Sequence, residues 1–261
     1  MLTRVLTYFV IVLLAGNLLA LDASFRSYIE SPGATSTSVV IPKPSGLAAK
    51  DLMIAHVIFQ KGPRNIGDIV PPAGWTTLYN VGFYTLDHVG VFWKLANATD
   101  VSATAFTFTG TSSVNKGAMT AWYNVDQTTP VGYANAAYQN SLGIYAVNLN
   151  TFAPPKTNAL MVVNASAYGV VKSKRFSTCQ TNASTDFGTL TYAVSNFNSV
   201  ALGMWHGRIR GTGAVDQTYA KWSNGEYDYT WCQVLSINDN TSSATRVALY
   251  WSNPVINEEN W

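Results

Sequence analysis

The stretch DLMIAHVIF at residues 51–59 decides the fold class, because it is an almost continuous apolar run with β-branched residues and no helical periodicity. Other short runs follow along the chain, either alternating or continuously apolar, and they are bounded by Gly, Pro and Asn. This spacing predicts an all-β protein, a large antiparallel β-sandwich of the jelly-roll type.

The same strand pattern occurs twice, about 110 residues apart. The matching segments are residues 51–55 with 159–163, 91–94 with 203–206, and 120–125 with 229–234. Their residues are mostly apolar, aromatic or β-branched, so they are packing positions and identify no reacting group. Two arrangements are consistent with the repeat: one small sandwich in each half, or one large sandwich in which the halves interleave. We favour the single sandwich, because the link near residues 140–143 is too short to be a spacer.

The beginning of the chain predicts an export signal over residues 1–20, with Arg4 before an apolar run and small residues near a cleavage point. A retained membrane anchor is the alternative, since the apolar run approaches the length that crosses a bilayer. Residues 21–35 then form an N-terminal extension, followed by the two halves of the sandwich, residues 36–143 and 144–261. We expect the mature protein outside the cell or at the cell surface, without a membrane segment.

The low charge of the chain argues against nucleic acid as a partner. Only 11% of the residues are charged and the formal net charge is +2, so no strong positive field exists. The sequence does not support a catalytic function either. Glu226 and Asp228 share a strand face near His206, but a carboxylate pair at the tip of a hairpin is usually only exposed to solvent. We therefore predict no catalytic residue, no metal and no cofactor.

Two cysteines, Cys179 and Cys232, would meet an oxidising compartment after export. A disulfide between them is the favoured prediction, because closing a loop of that length stabilises the fold. Two buried thiols are the alternative.

Four Asn-x-Ser/Thr sequons occur in the chain, at Asn97, Asn164, Asn182 and Asn240. Asn97 and Asn240 lie in polar, loop-like surroundings and are the better acceptors for N-glycosylation. Asn164 lies within a predicted strand, so it can be modified only if it faces outward.

Several of these segments together resemble a known module. Residues 51–55, the segment PAGWT at residues 72–76, the strand at residues 91–94 and the later residues 159–162 are similar to a β-sandwich module of phage tail-fibre proteins and bacterial surface or secreted proteins. Lys50 stands where that module usually has glycine. The resemblance implies an extracellular or virion-associated structural role and transfers no catalytic residue.

An open sandwich has sheet edges, and an edge strand is a template for another chain. Residues 23–30 alternate in character, so Phe25, Tyr28 and Ile29 are candidates for a strand that is donated to a neighbouring copy. A second candidate strand near the C terminus presents Val247, Leu249 and Trp251 on one face. The favoured function is a structural subunit of a fibre or virion appendage that assembles with copies of itself.

A secreted glycan-binding or adhesive module is the alternative function. Aromatic side chains can stack on sugars, and among the eight tryptophans Trp75 and Trp222 lie near turns, where a ligand can reach them. The competing explanation is that both pack in the core. Glycans are therefore the second candidate partner.

Overall fold

Strands make up most of the computed structural model, which describes residues 22–60, 69–83, 87–139, 146–148, 160–168, 176–181, 191–197, 200–208, 218–222 and 229–240. The described elements are β1 (Ser24–Glu30), β2 (Ala34–Pro42), β3 (Leu52–Gln60), β4 (Thr76–Phe83), β5 (Asp87–Leu95), α1 (Ala98–Ser102), β6 (Ala105–Tyr123), β7 (Val131–Gln139), β8 (Ala146–Asn148), β9 (Leu160–Tyr168), β10 (Phe176–Thr181), β11 (Thr191–Phe197), β12 (Val200–Arg208), β13 (Thr218–Trp222) and β14 (Tyr229–Ile237).

These strands form three sheets, in which every ladder is antiparallel. The first sheet has the order β1-β6-β3-β5-β4, and β2 also pairs with β6. The second sheet has the order β7-β14-β9-β12-β11, and the third has β8-β13-β10. The prediction of an all-β antiparallel sandwich is confirmed.

The first sheet and the other two sheets come from successive parts of the chain, residues 22–125 and 131–240. Strand β7 belongs to the first half that the sequence predicted, but it pairs with β14 of the second sheet. Among the described residues, the isolated bridge between Val125 and Asp239 is the only ladder pairing between the two parts. The two large sheets therefore pack face to face, with β7 of the predicted first half in the second sheet.

Strand β6 is long enough to belong to two layers of the fold. Its first part pairs with β2 and bridges Val70 through Thr109, whereas its last part pairs with β1 and β3. Between these layers lies the inner core, whose buried apolar members are Val39, Ile41, Leu47, Met53, Ala55, Val57, Phe59, Ile69, Trp75, Phe92, Ala96, Phe106, Phe108, Met119 and Ala121.

The opposite face of the first sheet packs on the second sheet, and we call this layer the seam. Side chains alternate between the two faces of a strand. On β3, Met53 and Ala55 therefore face the inner core, whereas Leu52 and Ile54 face the seam. The seam's buried apolar members are Ala23, Leu52, Ile54, Ile58, Val89, Val91, Ala118, Trp122, Val125, Leu160, Val162, Leu202, Met204, Trp231, Leu235 and Ile237.

The two large sheets have the same strand order along the chain. β3 lies between β6 and β5 in the first sheet, and β9 lies between β14 and β12 in the second. Residues that the sequence comparison matched are not at equivalent positions in the strand pairing of the two sheets. Ile54 is opposite Trp93, but its counterpart Val162 is opposite His206 and not Trp205. A shift of one residue moves a side chain to the other face, so a residue-level repeat is not confirmed.

The third pair of matched segments, residues 120–125 and 229–234, is displaced by more residues in the strand pairing. Leu52 is opposite Trp122 in the first sheet, whereas its counterpart Leu160 is opposite Ile237 in the second. Trp231, which the sequence paired with Trp122, is opposite Ser166. Aromatic residues alone are therefore poor markers of equivalent positions in this fold.

Candidate functional site

The N-terminal strand β1, which the sequence predicted as a donor strand, pairs with β6 of its own chain. Phe25 is stacked on His206 with ring centroids 4.7 Å apart, and it meets Trp122 edge-on at 5.2 Å. Its slot is thus formed by both halves. A bulge between Phe25 and Ser27 changes the alternation, so Phe25 and Tyr28 pack on the seam and Ile29 packs on the inner core.

The start of β1 is held by the second half. The amide of Ala23 donates to a carboxylate oxygen of Asp239 at 2.9 Å, and the guanidinium of Arg208 donates to the Ala23 carbonyl. Arg208 and Asp239 are themselves an ion pair. Both backbone groups of one N-terminal residue therefore contact strands or loops more than 180 residues away.

The end of β1 is fixed at Ser31. The Ser31 amide donates to the Gly117 carbonyl, and its hydroxyl accepts from the Gly117 amide at 2.9 Å. The buried ammonium of Lys116 donates to the Ser31 carbonyl at 2.9 Å and lies 3.8 Å from Glu30. Burial lowers the pKa of Lys116, and the Glu30 carboxylate opposes that shift. Beyond Ser31, Pro32 and Gly33, whose φ is 79°, interrupt the pairing before β2 continues in the same direction along β6.

The two residues before β3 have structural roles in the fold. Asp51 forms an ion pair with Arg26 at 2.5 Å, and its carboxylate accepts from the Ala48 amide at 2.8 Å. Lys50 has a φ of 74°, in the left-handed region that favours glycine. Lys50 therefore holds a strained conformation at the start of a central strand.

The turn at residues 72–75 buries Trp75. The Trp75 amide closes the turn on the Pro72 carbonyl, and Gly74 at the third position has a φ of 81°. The indole of Trp75 is 9% exposed and packs edge-on against Phe106 and Phe108. Trp75 therefore offers no open face to a sugar, and its candidacy as a glycan-binding residue is corrected by its packing.

Trp222, the other glycan candidate, lies on β13 opposite Phe176, and its side chain is outside the described part. The candidate strand with Val247, Leu249 and Trp251 lies wholly outside the described residues, as do Glu226 and Asp228.

The sequons fall in different surroundings. Asn97 is exposed and caps α1, where its side-chain oxygen accepts from the Asp100 amide. Asn240 is exposed as well. Asn164 is fully buried and donates to Gln233, so it cannot accept a glycan in the folded protein. Asn182 lies outside the described residues.

The cysteines lie on different sheets. Cys179 is opposite Ala220 on the third sheet, and Cys232 is opposite Ala137 and Ala165 on the second. Their side chains are outside the described part, so the disulfide stays a prediction.

The seam contains a group of buried polar side chains that the sequence did not bring together. We call His56, Asn164, Ser166 and Gln233 the polar cluster; each is at most 1% exposed. His56 packs against Trp231, with ring centroids 5.4 Å apart. Burial lowers the pKa of His56 to about 3 and that of the half-buried His206 to about 4, so both are neutral at pH 7.

No protein-family model, curated protein or solved structure matches this chain. Within the described ranges, no group of three or more His, Cys, Asp or Glu side chains is placed to hold a metal ion. The one described helix is too short to cross a membrane.

Proposed function

We propose that this protein is an extracellular structural subunit of a fibre or virion appendage, and that copies of it are linked by exchange of strand β1. The observation that carries the proposal is the slot for β1: an N-terminal strand fills a site made by both halves. A terminal strand that fits a preformed slot can fit the same slot in a second copy, which is the basis of domain swapping.

The site of exchange is the break between β1 and β2 at Pro32 and Gly33, where the chain continues along β6 without reversing. Pro32 is exposed, and Gly33 has a positive φ, so a change of conformation at this break disrupts no buried side-chain contact of either residue. The closed and exchanged forms share the same β1 contacts. Exchange therefore changes mainly the conformation of the break and the entropy of association, and it increases with protein concentration.

The exposed edge of β2 favours association as well. Its residues Ala34–Pro42 carry no charged side chain, although charges are a common protection of edge strands. In the described part of the chain, β2 has only β6 as a partner strand. Val40 on β2 is 48% exposed, which leaves apolar surface beside that edge.

The extracellular setting rests on the export signal predicted over residues 1–20 and on the resemblance to phage tail-fibre and bacterial surface or secreted modules. The structure contributes the β-sandwich that such modules share. The glycan-binding alternative has less support, because Trp75 is packed in the inner core.

Cysteine pairs can test the exchange directly. Ser24 and Tyr123 are opposite each other on β1 and β6, and opposite residues lie close enough for a disulfide. Two single variants, Ser24→Cys and Tyr123→Cys, are mixed in the unfolded state without reductant, refolded at high concentration and oxidised. The native cysteines are replaced by serine in both. We expect disulfide-linked dimers that mass spectrometry maps to positions 24 and 123.

The matched control uses an internal strand. Val40 and Thr107 are opposite each other on β2 and β6 and both are exposed, so Val40→Cys and Thr107→Cys report on a strand without a free end. Mixing these variants should give no dimers above background. If the first pair links only within one chain when both cysteines are present, and never on mixing, strand exchange is wrong. Negative-stain images and size-exclusion profiles then decide whether fibres form by another contact.

A further inference from the structure

The polar cluster lies at the centre of the seam, between two sheets. His56 comes from β3, and it shares its face with Leu52, Ile54 and Ile58 of the seam. Asn164 and Ser166 follow Leu160 and Val162 on the seam face of β9. Gln233 lies between Trp231 and Leu235 on the seam face of β14.

The members of the cluster are neighbours. Asn164 is opposite Gln233, and Ser166 is opposite Trp231, on adjacent strands. Opposite residues lie about 5 Å apart, and successive residues on one face of a strand about 7 Å apart. The His56 ring covers Trp231 from the other sheet. The polar groups therefore occupy one small patch where the two sheets meet.

Most polar atoms of this patch have no partner. One hydrogen bond joins the cluster, from Asn164 Nδ2 to Gln233 Oε1 at 3.1 Å. Both ring nitrogens of His56, Asn164 Oδ1, Ser166 Oγ and Gln233 Nε2 are buried and have no hydrogen-bond partner in the part of the chain that the structure describes. Buried polar atoms in folded proteins are nearly always bonded to protein or to ordered water.

We propose that the polar cluster of the seam is a binding site for ordered water molecules. The unpartnered set offers donors, on Gln233 and Ser166, and acceptors, on Asn164 and Ser166, so it fits a small neutral molecule that both donates and accepts. Neutral His56 adds one donor and one acceptor. Anions need donors and cations need acceptors, and the cluster contains no charged group to favour either. Water satisfies the set with two to four bonds each.

Either orientation of the two side-chain amides leaves the patch with both a donor and an acceptor. If both Asn164 and Gln233 are flipped, the bond between them is kept with donor and acceptor exchanged, and the outward atoms become an N–H of Asn164 and the oxygen of Gln233. A donor and an acceptor still face the patch.

A crystal structure at a resolution that places solvent tests the site in the whole protein. We expect at least one ordered water within hydrogen-bond distance of two or more members of the cluster. Asn115 is the internal control: it is also a buried amide, but it donates to the Ser36 carbonyl at 2.9 Å and needs no water. A dry patch with the side chains unpaired, or a patch in which they bond directly to each other, overturns the proposal.

Ser166→Ala gives a second measurement in solution. If Ser166 binds water, the variant loses a water ligand and Tm falls by roughly 2 to 4 °C for a chain of this size. If the patch is dry, removing an unpartnered hydroxyl leaves Tm unchanged or raises it. Ser102→Ala, on the exposed end of α1, is the matched control and should leave Tm within error.

Discussion

The inner core and the seam lie on opposite faces of the first sheet, yet they are built differently. The aromatic rings of the inner core interlock, as Trp75, Phe92 and Phe108 do. The buried amide beside it, Asn115, is hydrogen-bonded to Ser36. The seam has apolar members of similar size, but it also includes His56, Asn164 and Gln233. One sheet therefore has a mainly apolar face toward the inner core and a face with several buried polar side chains toward the second sheet.

This difference indicates which contact the fold can most easily loosen. Apolar burial is non-directional and strong, whereas a layer with buried polar groups keeps its stability only while each of them keeps a hydrogen-bond partner. The inner core should therefore hold the first half together when the seam opens.

The largest effect is expected from Trp75→Ala, which breaks the inner core. Removing a buried aromatic side chain costs about 3 to 5 kcal/mol of unfolding free energy, because it removes contacts and leaves a cavity. Chemical denaturation monitored by fluorescence of the remaining tryptophans measures the loss. Thr76→Ala, at the exposed next residue, should change stability by less than about 0.5 kcal/mol. Equal effects from both variants would contradict the packing described for Trp75.

The seam should be sensitive to acid through His56. Its folded pKa of about 3 lies below the ordinary value of 6.5, so the unfolded chain binds a proton first as the pH falls. Stability contributed by neutral His56 is therefore present above pH 6.5 and is lost as the pH falls toward 3. Between pH 7 and pH 4 this loss is about 3 kcal/mol.

Comparing wild type with His56→Leu isolates this effect, since other groups titrate in both. As the pH falls from 7 to 4, the unfolding free energy of the wild type should decrease more than that of His56→Leu. The value at pH 7, where His56 is neutral, reports the packing and hydrogen bonding of the uncharged ring. A difference that is constant with pH would show that His56 does not titrate as described.

A smaller effect is expected at the end of β1. Ser31→Ala removes the hydroxyl that accepts from the Gly117 amide, and this costs about 1 to 2 kcal/mol because that amide is buried. The variant should also increase dimer formation in the Ser24→Cys and Tyr123→Cys mixture. Ser102→Ala, whose hydroxyl donates to the Thr99 carbonyl at an exposed site, is the control for both measurements. Unchanged exchange alongside lower stability would show that the contacts of Ser31 do not limit the exchange.

The smallest effect is a gain from Lys50→Gly, just before the strand that separates the two cores. Glycine relieves the strain of a φ of 74° but adds freedom to the unfolded chain, so the net gain is about 0.5 to 1 kcal/mol. Lys50→Ala keeps the strain and removes the same charge. If Lys50→Gly is no more stable than Lys50→Ala, the left-handed conformation at this residue is wrong.

The sequence predicted the class of fold because strand periodicity and turn residues are local signals. It also indicated a special position at Lys50 and a turn before Trp75. It could not predict the register, since that depends on pairing between distant strands: His206, not Trp205, faces the seam beside Phe25. The aromatic matches between the halves therefore placed some residues on the wrong face.

The polar cluster could be predicted only in part from the sequence. His56 interrupts the apolar run at residues 51–59, and Asn164 interrupts the strand that follows Leu160. Each is unremarkable alone, because a single polar residue in a strand usually faces solvent. Only the packing of the two sheets shows that both interruptions point to the same layer, and a search for polar residues within otherwise apolar strands could have proposed it.

In the proposed chain of linked copies, the position of β1 beside β6 has a mechanical consequence. The two strands run antiparallel over six paired positions, and the N terminus leaves at one end of that ladder. Tension applied through the terminus pulls β1 along its own axis, so the load is shared in shear by the whole ladder and not applied to one bond at a time. A link of this geometry resists extension far better than a strand peeled from its edge.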